Sequence, residues 1–218
     1  MRGLIMKMRK SEIIILGIIL LSLIISIYFY PQMPEKMASH WNAQGQVDGY
    51  MSKFWGLFLM PFMLVGLALL FVATPRMDPL KANIEKFRKF YDIFIILFFV
   101  FLLSTHLQII LWNMGIEISP NVIFPIGLGL LFFYIGILCE NAKRNWFIGI
   151  RTPWTLSNEV VWDKTHKIGG KLFKIAGVIA LLGVFFQNYA FFFTIIPVIL
   201  FSAYTIIYSY VEYQKEMK

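Results

Sequence analysis

Cysteine, charge and acidic side chains are all scarce in this 218-residue chain. A single cysteine, Cys139, excludes an intrachain disulfide and any cysteine-based metal cluster. Charged residues make up only 15% of the sequence against 59% hydrophobic ones. So small a polar fraction cannot cover the surface of a water-soluble domain. Internal repeats and low-complexity segments are lacking too. No metal-ligand spacing of the H-E-x-x-H kind occurs, so the sequence implies neither a metal nor a cofactor.

What the sequence has in abundance is long apolar runs. Ile13–Tyr30 (18 residues), Phe54–Thr74 (21), Ile93–Ile116 (24) and Ile118–Cys139 (22) are free of Asp, Glu, Lys and Arg. About 20 apolar residues cross the hydrocarbon core of a bilayer as a helix. Ile175–Val211, at 37 residues, is too long for one crossing, and Gln187-Asn188 within it reads as a turn between two. The fifth helix then begins near Gly170, with Lys171 and Lys174 snorkelling to the interface. Strands of a membrane barrel would alternate in and out over about ten residues, and no such pattern is present. The expected fold is all-α and polytopic, with six transmembrane helices. Because Ile13–Tyr30 lacks a small-residue cleavage site, it reads as an anchor.

Lys and Arg set the expected orientation. The N-terminus, the 75–92 loop, the 140–174 loop and the C-terminal tail hold four, five, seven and two of them, so 18 of the 20 fall on one side. Only Lys36 and Lys53 fall on the other. The positive-inside rule then puts both termini in the cytoplasm. The net charge of +8 reflects basic loops held at the inner leaflet and not direct nucleic-acid binding. The expected division is a two-helix region, 1–74, with outer loop 31–53, and a four-helix region, 75–218, with a long inner loop, 140–171.

On the inner side, 75–92 reads as a short amphipathic helix on anionic lipid that runs into the third span, with Ile84, Phe87, Phe90 and Tyr91 opposite Lys86 and Lys89. In 140–171, Pro153 turns the chain, Ser157 reads as a helix N-cap, and Glu159, Trp162 and His166 fall on one helical face. Arg151 and Glu159 are expected to approach across the turn. Aromatic and basic residues so interleaved suit the headgroup region, or a surface for a ligand or partner. Further along, Ala176, Ala180 and Gly183 share a face suited to close helix packing. Outside, Pro31, Pro34, Gly45 and Gly49 make 31–53 a turn-rich loop, in which His40, Trp41, Asp48 and Tyr50 offer polar and aromatic contacts. Near mid-membrane, His106 and Gln108 form either an interhelical hydrogen-bond knot or part of a solute path.

The run K-R-N-x-F-x-G-I-R-T-P-W-T-L-S-N-E-x-V-W-x-K-T-H, with two glycines after it, resembles the signature of the SdpI family of bacterial membrane proteins. The resemblance runs through Lys143, Arg144, Asn145, Phe147, Gly149 and Ile150 to Arg151, Thr152, Pro153, Trp154, Thr155 and Leu156. It continues at Glu159, Trp162, Lys164, Thr165, His166 and Gly170; Trp146 stands where the family varies. In the outer loop, Pro34, His40, Trp41, Asn42, Gly45, Asp48 and Lys53 are similar to the pattern of an uncharacterised domain that commonly precedes the SdpI region. The resemblance implies a non-enzymatic immunity protein and sensor of the cell membrane. Its implied partners are a secreted membrane-active peptide toxin outside and a DNA-binding transcriptional repressor inside. A small transporter or channel using His106 and Gln108, and then a membrane-embedded enzyme, are the alternative readings.

Overall fold

A computed structural model describes residues 8–218. Arg2 and Lys7, two of the N-terminal residues in the charge count, lie outside the described residues. The elements in chain order are α1 (Lys10–Phe29), β1 (Lys36–Trp41), β2 (Val47–Ser52), α2 (Lys53–Met77), α3 (Lys81–Asn113), α4 (Pro120–Asn141), α5 (Pro153–Ser157), α6 (Glu159–Leu182) and α7 (Ala190–Glu216). Among the described residues, six helices are long and apolar enough to cross a membrane, which meets the expected count. Gln187–Tyr189 forms the short turn expected between the last two.

Packing is layered along the chain. α1, α2 and α3 enclose one apolar core, with Ile15, Leu64, Ile84, Phe87, Phe99 and Trp162 buried in it. α4, α6 and α7 form the other half, and α4 against α6 is the most extensive helix pairing in the molecule. Glycines explain the closeness. Gly129 and Gly136 on α4 face Gly177 and Gly170 on α6, so backbone meets backbone with no Cβ between. Ala176, Ala180 and Gly183 are buried as expected, although the glycine seam beside them carries the closest approach.

One expectation about the loops is corrected and one is made more specific. The helix in 75–92 does run into the third span, but its apolar face does not lie on lipid. α2 runs through Pro75 to Met77, and Lys81 onward is the start of α3, kinked at Phe87. Ile84, Phe87 and Tyr91 are buried in the core, while Arg88 pairs with Asp92 at 2.8 Å. The stripe is buried in a core that α1 and α2 share with Leu138, Ala142, Ile148 and Trp162. Within the turn-rich outer loop, 36–52 is an antiparallel hairpin with irregular register between Ala38 and Trp41. That irregularity is a reason no period-two pattern stood out.

Candidate functional site

The chain between α4 and α6 folds into a compact cap over one end of the bundle, and its own polar side chains hold it there. Asn145, fully buried, is the organiser. Its Nδ2 donates to the carbonyls of Lys143 and Ile148, each at 2.8 Å. Its Oδ1 accepts from the backbone N–H groups of Phe147 (2.9 Å) and Ile148 (2.6 Å). One carboxamide thus closes the 143–148 turn in place of a regular ladder. Gly149 follows at φ +116°, and a Cβ there would overlap the His166 ring, so glycine is required twice over.

Thr152, Pro153 and Thr155 start α5 by a capping box. Thr152 N donates to Thr155 Oγ1 at 2.9 Å, and Thr155 N donates to Thr152 Oγ1 at 3.2 Å. Thr155 Oγ1 is also within reach of the Ile150 carbonyl. The hydroxyl of Thr152 meets Ser209 of α7 at 3.0 Å. Ser157 ends α5 and does not cap α6. Asn158 does so, accepting from Val160 N (2.8 Å) and Val161 N (3.2 Å) through Oδ1. Both residue types are good N-caps, and here the neighbour one position later holds the place.

Trp162 and His166 share a face as expected, stacked with ring centres 3.9 Å apart. Both are buried, and every ring nitrogen of the pair is hydrogen-bonded. Trp162 Nε1 donates to the Ala142 carbonyl at 2.9 Å. Ile150 N donates to His166 Nε2 at 2.9 Å, which leaves Nδ1–H to donate to the Trp162 carbonyl at the same distance. The ring is therefore held as its Nδ1–H tautomer and acts as a clasp between α6 and the cap. Thr165 is buried beside it with its hydroxyl unpartnered.

Further ties join the signature to residues outside it. Asp78, 2% exposed, accepts from Leu80 N (2.6 Å) and from Trp146 N (2.8 Å). Asn83 donates to the Arg144 carbonyl at 2.9 Å, and Arg144 donates to the Leu156 carbonyl at 3.2 Å. Lys164 pairs with Glu212 and Glu216 of α7 at 3.1 and 2.8 Å, and Trp154 packs on Tyr210. Gly170 touches Glu140, which pairs with Lys174 at 2.6 Å. Nothing in the sequence isolates Asp78, apart from its place before Pro79 just past a helix end.

The expected approach of Arg151 and Glu159 is absent. Arg151 donates to the Trp146 carbonyl at 3.1 Å, Glu159 is exposed in the first turn of α6, and no ion pair joins them among the described residues. Their alanine substitutions should therefore act independently. In a double-mutant cycle on thermal stability the coupling should stay within about 0.5 kcal/mol. A larger coupling would mean that the two charges meet. What the cap presents outward is Lys143, Trp146, Phe147 and Arg151, with Trp146 52% exposed.

At the other end, the hairpin turn is built by Asn42. Its Oδ1 accepts from Gln44 N and Gln46 N, both at 3.0 Å, and Gly45 adopts φ +79°. The hairpin is anchored, not free. Met37 is fully buried with Leu57 and Ile110, and Asn113 bonds Ala38 in both directions, at 2.8 and 3.0 Å. Lys53 pairs with Glu35 at 2.7 Å, Trp41 packs edge-on against Trp112, and His40 pairs with Asp48. Pro34 and Tyr50 are exposed. Asn121 of α4 donates to the carbonyls of Ala43 and Gln187, tying the hairpin to the last two helices.

His106 and Gln108 do not form one polar path. His106 is fully buried, with Nε2 3.0 Å from Ser26 Oγ, and Ser26 donates to the Leu57 carbonyl at 2.8 Å. That is a hydrogen-bond knot among α1, α2 and α3. Gln108 instead donates to the Ile118 carbonyl at 3.1 Å, on the side of α4.

A six-helix, multi-pass protein of the cell membrane is thus defined, with an anchored β-hairpin over one end and a self-bonded polar cap over the other. The cap and the two helices that follow it lie in a region similar to a known family. Residues 141–209 match the SdpI/YfhL protein family, and residues 17–65 match a domain of unknown function, DUF1648. It is 28% identical over 207 residues to Immunity protein SdpI of Bacillus subtilis (strain 168), covering 94% of this chain and 97% of that one. No solved structure matches it.

Proposed function

We propose that this protein confers immunity to a secreted, membrane-active peptide, acting by binding and without catalysis. The observation that carries the reading is the end-to-end similarity to Immunity protein SdpI, which spans hairpin, bundle and cap alike. The basic end is cytoplasmic in this reading and the hairpin faces outward, as the positive-inside rule expects. Hairpin residues around His40, Trp41, Asp48 and Tyr50 then meet the peptide, and the cap, through Trp146, Phe147 and Arg151, meets a cytosolic repressor. The transporter reading loses support because His106 and Gln108 belong to separate networks.

Orientation is checked by cysteine labelling in a Cys139→Ser background. A cysteine at exposed Gln44 should react with an impermeant maleimide in intact cells, and one at exposed Ser157 only after permeabilisation. Labelling of both from one side rejects the orientation. Function is checked by expressing the chain in a sensitive cell and challenging it with peptides secreted by the organism that carries it. Survival should rise with expression. Unchanged killing, with the protein abundant in the membrane, rejects immunity.

A further inference from the structure

The hairpin has two edges, and one of them is occupied from within the protein. Along β1, the backbone of Ala38 is met from α3. Ala38 N donates to Asn113 Oδ1 at 2.8 Å, and Asn113 Nδ2 donates to the Ala38 carbonyl at 3.0 Å. A carboxamide carries the same donor and acceptor as a peptide group, so Asn113 stands where a further strand would. Those two bonds also fix which way β2 faces. Tyr50 lies directly opposite Ala38. In an antiparallel pair, opposed residues either bond each other through both backbone groups or turn both away. Ala38 turns its groups to Asn113, so Tyr50 turns its N–H and C=O to the free side of β2. The bond from Lys53 N to the Glu35 carbonyl, at 3.0 Å, keeps this alternation in step and sends the Ser52 N–H the same way. No other hydrogen bond among the described residues takes these groups, and Tyr50 is 65% exposed.

Proteins ordinarily blunt a free edge with Pro, Lys, a covering element or a very short strand. β1 has the cover. β2 is six residues long, holds no Pro or Lys, and its one charge, Asp48, is matched by His40. Free N–H and C=O groups at strand spacing complement an extended polypeptide backbone. A lipid acyl chain offers them neither donor nor acceptor. We propose that the free edge of β2 takes up an extended, uncharged segment of a peptide as a third strand. Tyr50 N–H donates to a carbonyl of that segment, and the Tyr50 carbonyl accepts from one of its N–H groups. Beside the Tyr50 ring, a β-branched or aromatic residue of the segment pairs best. This deepens the immunity reading and rests on it, by giving the secreted peptide a mode of binding that reads its backbone.

The test uses the full chain, carrying Cys139→Ser and Gln46→Cys, in phospholipid nanodiscs. The probe is an N-acetylated, C-amidated heptapeptide of alternating threonine and valine that ends in cysteine. A disulfide joins it to position 46, just before β2, and holds it beside the edge at about millimolar concentration. Deuterium exchange at the Tyr50 amide, followed by NMR, should slow about tenfold once the probe is attached. The same probe N-methylated throughout should leave the rate unchanged. An unmethylated probe that does not slow exchange, or two probes that slow it alike, overturns the site. So does a Tyr50 amide that, without probe, is slow in discs holding two copies and fast in discs holding one, which assigns the edge to a second copy of the chain. In the survival assay, Tyr50→Pro removes the edge N–H, which β1 does not use, and should abolish protection. Tyr50→Thr keeps that N–H and should retain most of the protection. Equal loss in both variants assigns recognition to the Tyr50 ring and overturns the edge. Full protection by both overturns the edge and leaves immunity standing. Should protease cut the hairpin of Tyr50→Pro, the exchange measurement decides alone. Slowed exchange as expected, with no protection by the wild type, overturns immunity and leaves the site.

Discussion

Replacing Asn145 with alanine is expected to release the cap as a unit while the membrane helices stay folded. The carboxamide makes four hydrogen bonds with backbone groups of residues 143–148, and the residue is fully buried. Each such bond contributes about 1 kcal/mol net, and buried groups left unpaired cost more, so the local loss should be about 3–5 kcal/mol. Asn145→Asp should be no milder. A carboxylate can accept from Phe147 and Ile148 but would face the Lys143 and Ile148 carbonyls with nothing to donate. Limited proteolysis reads the result. Cleavage should appear within 143–157 in both variants, with the six long helices still protected. A cap as resistant in Asn145→Asp as in the wild type would show that the carboxamide does not organise it.

The bundle was legible in the sequence and the cap's packing was not, for physical reasons that differ. Hydrocarbon demands long uninterrupted apolar runs, and a run such as Phe54–Thr74 has no other use. A composition of Trp, Arg, Lys and Thr suits a headgroup belt and a self-bonded cap equally well. Only the pairing of Asn145, Thr155 and His166 with backbone groups separates the two, and pairing is not a property of composition. The hairpin was hidden because few of its residues face inward: Met37 and Ala38 are buried, whereas β2 has none fully buried. The stacked pair Trp162 and His166 followed from helical spacing, since that spacing fixes which side chains overlie one another. Arg151 and Glu159 did not pair because the chain between them holds a complete short helix, α5, in place of a simple turn.

Gly177→Leu is expected to have the largest effect of any single substitution in the bundle. A Cβ at Gly177 would stand 2.5 Å from both the Gly129 carbonyl oxygen and the Phe133 backbone nitrogen, and 2.9 Å from Phe133 Cα. All three are backbone atoms of α4, so no side-chain rotation can make room, and the two helices must separate. Gly136, whose Cβ would overlap the Gly170 carbonyl, lies along the same seam, so the separation propagates toward the cap. There it would pull Trp162 from the Ala142 carbonyl and His166 from Ile150 N, since α6 carries both rings. Overpacking of side chains alone costs about 1–3 kcal/mol. With backbone on both sides and the cap's clasp lost as well, the loss should exceed that range and leave little protein in the membrane. Gly66 provides the control within the same molecule. Nothing lies within 4 Å of a Cβ there, so Gly66→Ala in α2 should be neutral or gain up to about 1 kcal/mol from helix propensity. Membrane abundance and the thermal midpoint in detergent report both variants. Wild-type values for Gly177→Leu would mean that α4 and α6 are not in backbone contact, and the order of the half-bundle built on them would have to be revised.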